Sequence, residues 1–237
     1  MEINWSKCPH FDSNLKDVAN SLKKHSQDWF HVGAGDNGSG KSMLSIYGCL
    51  RIDPTFNIDR IIFTLSQFKT AIKTLKPCEA LLCDEFGDIM FNRDWKSKES
   101  RELAKYMMIM RYRRNFIWMN IPKINYADIY VREGRVSSMT YTFTVNRTEK
   151  DEAGDKRVYP QLGRFLAYTK KSIINHFEQN FYLKPAWRPA EKFPNLKEMG
   201  DEPRHLVELY EAKKDRFGEM KTDKLEAQEE ERENGGD

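Results

Sequence analysis

The chain has 237 residues, with 39 Lys and Arg against 36 Asp and Glu and a mean hydropathy of −0.75. That length buries one full core with a small appendage, and a net charge of +3 identifies no partner. No apolar run reaches the ~20 residues that cross a bilayer, and Met1-Glu2-Ile3-Asn4 lacks the basic start and apolar centre of a signal peptide, so membrane insertion is not expected.

Cys8, Cys49, Cys78 and Cys83 are scattered, with no C-x-x-C pair and no Cys/His cluster. They predict no disulfide framework and fit a reducing compartment, hence a cytoplasmic protein. Charge is unevenly spread. Residues 91–136 hold eleven Lys/Arg against five Asp/Glu, and residues 221–237 hold three against seven. The basic stretch could face nucleic acid; the acidic end does not suit it.

In chain order, Phe11, Leu15, Val18 and Leu22 recur at helical spacing, giving an amphipathic lead-in over residues 1–28 that covers a sheet or meets a neighbouring subunit. Trp29-Phe30-His31-Val32-Gly33 reads as a short strand. Gly35-Asp36-Asn37-Gly38-Ser39-Gly40-Lys41-Ser42 then matches G-x-x-x-x-G-K-S, the Walker A phosphate-binding loop, and Met43-Leu44-Ser45-Ile46-Tyr47 opens a helix. Strand, glycine loop and helix are the context this motif requires. Its glycines let backbone N–H groups turn onto phosphate oxygens, and the helix adds its positive end. Residues Gly35 through Met43 are thus the candidate nucleotide-binding set. Lys41 is placed to reach the β- and γ-phosphates of ATP, and the Ser42 hydroxyl to bind Mg²⁺.

Arg60-Ile61-Ile62-Phe63-Thr64 predicts a second strand, with Ser66 capping the next helix (Phe68, Ile72, Leu75) and Pro77 ending it. Ala80-Leu81-Leu82-Cys83 is an apolar run suited to a strand buried on both faces. It ends at Asp84-Glu85, in the position of a Walker B element. Asp84 would hold Mg²⁺, and Glu85 would take a proton from attacking water. The plain alternative is that both carboxylates only cap the loop. Phe86 through Trp95 reads as a loop, followed by a helix from about Ser97 to Arg114 with Leu103, Met107 and Met110 inward and Asn115 as its stop.

Phe116-Ile117-Trp118-Met119 predicts a fourth buried strand. Asn120 at its end either senses the γ-phosphate or only begins the Asn120-Ile121-Pro122 turn. Arg111, Arg113 and Arg114 either suit a helix C-terminus or supply an arginine finger to the next subunit, with Arg132 and Arg135 in reserve. Arg93, Lys96, Lys98 and Lys123, with Trp95 and Tyr126, either contact DNA phosphates or are a solvated surface.

Met139 to Val145 alternates as a fifth strand, Asp151 to Asp155 reads as a hairpin tip, and Arg157-Val158-Tyr159 returns. Strands alternating with helices predict an α/β core over 29–165 with a mainly parallel sheet. Residues 166–218 read as a helical, Pro-rich extension with Ile173, Phe177 and Phe181 on one helix and Leu206, Tyr210 and Phe217 on a last one. Residues 219–237 read as an acidic tail, disordered or a frayed helix.

Walker A, the Asp-Glu pair and the polar-tipped fourth strand resemble the additional-strand class of P-loop ATPases, and the Arg-rich helix end resembles its FtsK–HerA superfamily. The resemblance covers roughly Trp29 to Val145, and Asn120 stands where members usually have Gln. It implies a RecA-like three-layer sandwich of about five strands in order 5-1-4-3-2, and homo-hexameric rings with ATP sites between subunits. The loop spelling is also similar to ABC-type ATPases, but the gap to Asp84 is too short and the signature segment is missing. The leading expectation is therefore an ATPase motor that translocates or packages DNA. The alternative is a nucleotide-gated assembly or loading ATPase that recruits a protein partner through the acidic tail. A metabolite kinase is disfavoured by Glu85.

Overall fold

The computed structural model describes residues 5–86, 98–127, 130–150, 156–179, 183–186, 190–194 and 198–234. The strands are β1 (Trp29–Gly35), β2 (Ile61–Ile62), β3 (Ala80–Cys83), β4 (Phe116–Asn120), β5 (Ser138–Lys150), β6 (Lys156–Thr169) and β7 (Glu191–Lys192). The helices are α1 (Pro9–Lys24), α2 (Lys41–Ile52), α3 (Leu65–Thr74), α4 (Lys98–Met110), α5 (Lys170–Gln179) and α6 (Asp201–Asn234).

The strands form one sheet in the order β2-β3-β4-β1-β5-β6-β7. Pairing is parallel from β2 through β5, and antiparallel from β5 to β6 and from β6 to β7. The sheet therefore has seven strands rather than about five, and its order differs from 5-1-4-3-2 by two antiparallel strands beyond β5. The return through Arg157-Val158-Tyr159 is the start of β6, which runs on to Thr169; that extension escaped the sequence because Pro160, Gln161 and Gly163 interrupt its alternation. Gly163 takes a left-handed φ of 84°, and the register slips between Phe143 and Val145.

Parallel strands covered on both faces need apolar side chains on both, and β3 and β4 supply them in alternation. Leu81, Cys83, Ile117 and Met119 join Phe30 and Val32 on the face packed by α3, α4 and α5. Ala80, Leu82, Phe116 and Trp118 face the other side, packed by α1, α2 and α6. The stripe Phe11, Leu15, Val18 and Leu22 is buried there, so α1 covers the sheet.

Several boundaries shift for local reasons. The cap of α3 is Thr64, not Ser66. Gln67 sits at the third helical position, returns a bond to the Thr64 N–H and completes a capping box. That turn shortens β2 to two residues. α3 stops at Thr74, ahead of Pro77. α4 ends at Met110, and the left-handed residue after it is Arg114 (φ 58°) rather than Asn115. Asn115 is buried and donates to the carbonyls of Lys76 and Glu79.

Residues 219–234, expected to be a disordered tail or a frayed helix, continue α6. Glu, Lys, Gln and Ala are good helix formers, and the single Gly218 costs only about 1 kcal/mol. The loop from Gly87 with Arg93, Trp95 and Lys96, the hairpin tip at 151–155, and Phe181 lie outside the described residues. No described helix is long and apolar enough to cross a membrane.

Candidate functional site

β1 ends at Gly35, and the chain turns through Asp36–Gly40 into α2. Gly38 and Gly40 both adopt left-handed φ, 71° and 94°. Gly40 precedes the first residue of α2, and no side chain caps that helix. The first-turn N–H groups of α2 therefore have no intrahelical acceptor, and they border the cleft described below. The Ser39 Oγ donates to the Asp36 carbonyl (2.6 Å) and lies 2.7 Å from Thr142 Oγ1, tying the turn to β5. The Lys41 ammonium folds back onto the carbonyls of Gly35 (2.8 Å) and Asp36 (2.7 Å).

Asp84, at the end of β3, is 3% exposed. Its Oδ2 accepts from Ser42 Oγ (3.1 Å) and from the Tyr210 hydroxyl (2.5 Å), and its Oδ1 accepts from Asn120 Nδ2 (2.9 Å). Its own N–H donates to the Ile62 carbonyl (2.8 Å), which fixes the backbone. The carboxylate is thus held by side chains of three elements, α2, α6 and β4.

Asn120 cannot be turned around. The Trp118 indole N–H can only donate, and it donates to Asn120 Oδ1 (2.9 Å). The amide nitrogen must then face Asp84 and Ser45 Oγ (3.0 Å). Gly33 pairs with Asn120 across β1 and β4. A Cβ at Gly33 would lie 2.3 Å from Asn120 Oδ1, so only glycine leaves room for this side chain. Asn120 both begins the Ile121-Pro122 turn and reaches the cleft with its side chain.

Glu85 has a left-handed φ of 56°, which costs a non-glycine residue roughly 1–2 kcal/mol. Its half-exposed carboxylate meets the Lys214 ammonium at 2.8 Å. Lys214 Nζ also lies 4.0 Å from Asp84 Oδ2. Burial alone would lower the Lys214 pKa, but its hydrogen bond to Glu85 and the charges of Asp84 and Glu85 raise it instead. The Lys41 pKa is lowered, chiefly by burial, against the opposing pull of Asp84 and Glu85. Burial and the Asp84 charge push the Tyr210 phenol up, so it remains a donor at neutral pH.

These groups border one cleft of about 440 Å³. Asn37, Gly38, Gly40, Lys41, Ser42 and Met43 line it from the loop and α2; Asp84, Glu85 and Asn120 line it from the strand ends; Tyr210, Glu211 and Lys214 line it from α6. Gly35, Asp36 and Ser39 build the turn from behind. Among the described residues no group of three or more His, Cys, Asp or Glu could hold a metal ion. Within the cleft, the Ser42 hydroxyl and the Asp84 carboxylate, hydrogen-bonded to each other at 3.1 Å, are the adjoining oxygen groups suited to a hard cation.

The arginines are elsewhere. Arg111, Arg113 and Arg114 lie between α4 and the start of β4, at the opposite end of that strand from Asn120. Arg113 donates to the Ile72 carbonyl. Arg111 borders a separate cavity of about 480 Å³ with Asp28, Tyr112, Arg135 and Lys170. Arg135 pairs with Asp28, and Arg132 pairs with Glu133 and stands 4.0 Å over the Phe177 ring. None of the five borders the cleft within its own chain. Lys123 is exposed.

Sequence reasoning missed the α6 contribution. Tyr210 was read only as packing, and Lys214 was not singled out. Their spacing of four residues, which puts both on one helical face, was the available signal. No protein-family model matches the chain, and no curated protein matches it.

Proposed function

We propose that the protein is a P-loop ATPase of the additional-strand class, a RecA-like sandwich that binds ATP with Mg²⁺ and hydrolyses it. The observation that carries this reading is the Ser42–Asp84–Asn120 chain of hydrogen bonds, at the mouth of a glycine turn that presents Lys41 and an uncapped helix. A hydroxyl beside a carboxylate suits Mg²⁺, which takes oxygen ligands and keeps positions for phosphate and water. When bound there, Mg²⁺ would neutralise phosphate charge. The run β5-β1-β4-β3-β2 within the sheet agrees with this class.

Each residue then has a task. The α2 N–H groups and Lys41 hold the phosphates. Asp84 and Ser42 hold the cation. Asn120 keeps Asp84 oriented from below. Glu85 accepts a proton from water directed at the γ-phosphate. The wider reading is a homo-oligomeric, hexameric ring that translocates or packages DNA. Its support is that Arg111, Arg113 and Arg114 sit at the end of β4 opposite Asn120, away from their own cleft, where a neighbouring copy could meet them. A second reading is a nucleotide-gated assembly ATPase. It is favoured by α6, which runs from the cleft through the acidic sequence at its C-terminal end to Asn234, where a protein partner could engage.

The test is phosphate release with Mg²⁺ and ATP, with and without double-stranded DNA. Wild-type protein should hydrolyse ATP, and Glu85→Gln should bind it while turnover falls by about 10²-fold or more. Normal turnover in Glu85→Gln removes Glu85 as the base. Absence of DNA stimulation in a strictly monomeric protein removes the motor reading.

A further inference from the structure

α6 brings two side chains over the cleft from the far end of the chain, and its placement is well fixed. Its own Leu206 and Val207 are buried against the core. The Phe217 ring stacks on Phe63 at 4.9 Å with an interplanar angle of 15°. Lys213 Nζ donates to the carbonyls of Ile58 (2.9 Å) and Ile61 (2.6 Å), pinning the helix to the entry of β2. Tyr210 is pinned by Asp84. Lys214 differs from these neighbours. Its side chain is 36% exposed, and its ammonium meets the Glu85 carboxylate at 2.8 Å and lies 4.0 Å from Asp84 Oδ2. A flexible four-carbon stem on a fixed helix lets the ammonium move while its root stays in place.

Its position matters for the ligand. Lys41 stands at the glycine turn, and Lys214 stands at the Asp84-Glu85 end of the same cleft. If water is activated by Glu85, the phosphorus it attacks lies beside Glu85, within reach of Lys214. A diphosphate lacks that phosphorus. We propose that Lys214, supplied from α6 of the same chain, is a second cationic phosphate ligand that distinguishes nucleoside triphosphates from diphosphates. This rests on the nucleotide reading of the cleft. Without a triphosphate, Lys214 neutralises Glu85. With one, the ammonium transfers to a terminal phosphate oxygen and leaves the carboxylate available to accept a proton. The same residue therefore ties the readiness of the base to the presence of the terminal phosphate.

The experiment is calorimetric titration of the full chain, with Mg²⁺, using the non-hydrolysable β,γ-imido analogue of ATP and, separately, ADP. Lys214→Met should weaken the analogue by about tenfold or more, as for loss of a charge-assisted hydrogen bond, and change ADP by less than about threefold. Lys214→Arg should restore most of the preference. Lys214→Met in a Glu85→Gln background removes both partners of the ion pair, and the same selective loss should appear there. Equal weakening of both ligands, no weakening, or tighter binding of both would overturn the proposal. Wild-type protein that binds neither ligand overturns the nucleotide reading itself. Wild-type protein that prefers the analogue, with Lys214→Met preferring it equally, overturns only the role of Lys214.

Discussion

Asn120→Asp changes almost no volume but replaces the amide that donates to Asp84 with a second carboxylate. Trp118 Nε1 keeps its acceptor. The Ser45 hydroxyl already donates to the Ser42 carbonyl (2.7 Å), so beside a second carboxylate it gives up either that bond or its contact with residue 120. The larger perturbation is at the Asp84 contact, 2.9 Å long in the wild type. Two carboxylate charges at that separation repel by about 6 kcal/mol at an effective dielectric constant near 20. The pair avoids this by keeping a proton, so its apparent pKa in the folded state rises above the ordinary aspartate value. The folded state then holds a proton that the unfolded state has released. Stability is retained in acid and lost as pH rises, by about 1.4 kcal/mol per pH unit above roughly pH 4. At pH 7 the penalty is about 4 kcal/mol, a large share of a typical net stability of ~5–15 kcal/mol. Urea denaturation of both proteins between about pH 5 and pH 8 measures it, with m unchanged if the unfolded states match. Curves that stay parallel, or a variant as stable as wild type at the alkaline end, would refute the orientation deduced for the Asn120 amide.

The two turn glycines should respond unequally to alanine. At Gly38 the new Cβ meets nothing within 4 Å, so only the left-handed backbone is penalised, by about 1 kcal/mol. At Gly40 the Cβ would also lie 2.5 Å from the Phe193 ring, so calorimetry should show a loss of about 2–3 kcal/mol, near 2–4 °C of Tm per kcal/mol. Equal losses would mean that Phe193 moves aside freely. His31 is buried between Ser138 Oγ (2.7 Å) and Thr140 Oγ1 (3.1 Å), and burial pushes its pKa down to about 3. The unfolded chain takes up a proton there that the folded chain refuses. This contribution is complete above about pH 6.5 and lost toward pH 3, by up to about 1.4 kcal/mol per pH unit. His31→Gln should flatten that arm of the stability–pH curve; an unchanged acid slope would show that His31 is protonated in the folded state.

The parts legible in the sequence are those where a local pattern and a buried environment agree. Ala80–Cys83 and Phe116–Met119 read as strands because both their faces are covered, and the α1 stripe because one face is. Asp84, Asn120 and the glycine turn were legible as a constellation because each ends or follows such a strand. What escaped depends on contacts between distant segments. Tyr210 meets Asp84 across 126 positions, and Lys214 meets Glu85 from the same helical face. Their four-residue spacing puts them on one helical face, but ordinary residues of an amphipathic helix share that spacing. The true cap of α3 was missed because Ser66 and Thr64 are chemically alike, and only the Gln67 spacing tells them apart. Only the start of β6 was legible, because a proline and a glycine beyond Tyr159 break the period by which a strand is recognised, and β7, with two residues, is too short to carry a period.

The anchoring of α1 has a consequence for biogenesis. Its N-terminal N–H groups, those of His10 and Phe11, are received by the buried carboxylate of Glu191 (2.9 and 3.0 Å), and Lys7 pairs with Glu198. The cap of the first helix is thus encoded about 180 positions downstream. At a synthesis rate of roughly 5–20 residues per second, the nascent helix waits on the order of 10–40 s for its acceptor. Throughout that interval the apolar stripe of Phe11, Leu15, Val18 and Leu22 lacks part of the clamp that seats it. A ribosome stalled before codon 191 would display a chain whose leading segment is open to protease or chaperone. One released after it would display the same segment closed.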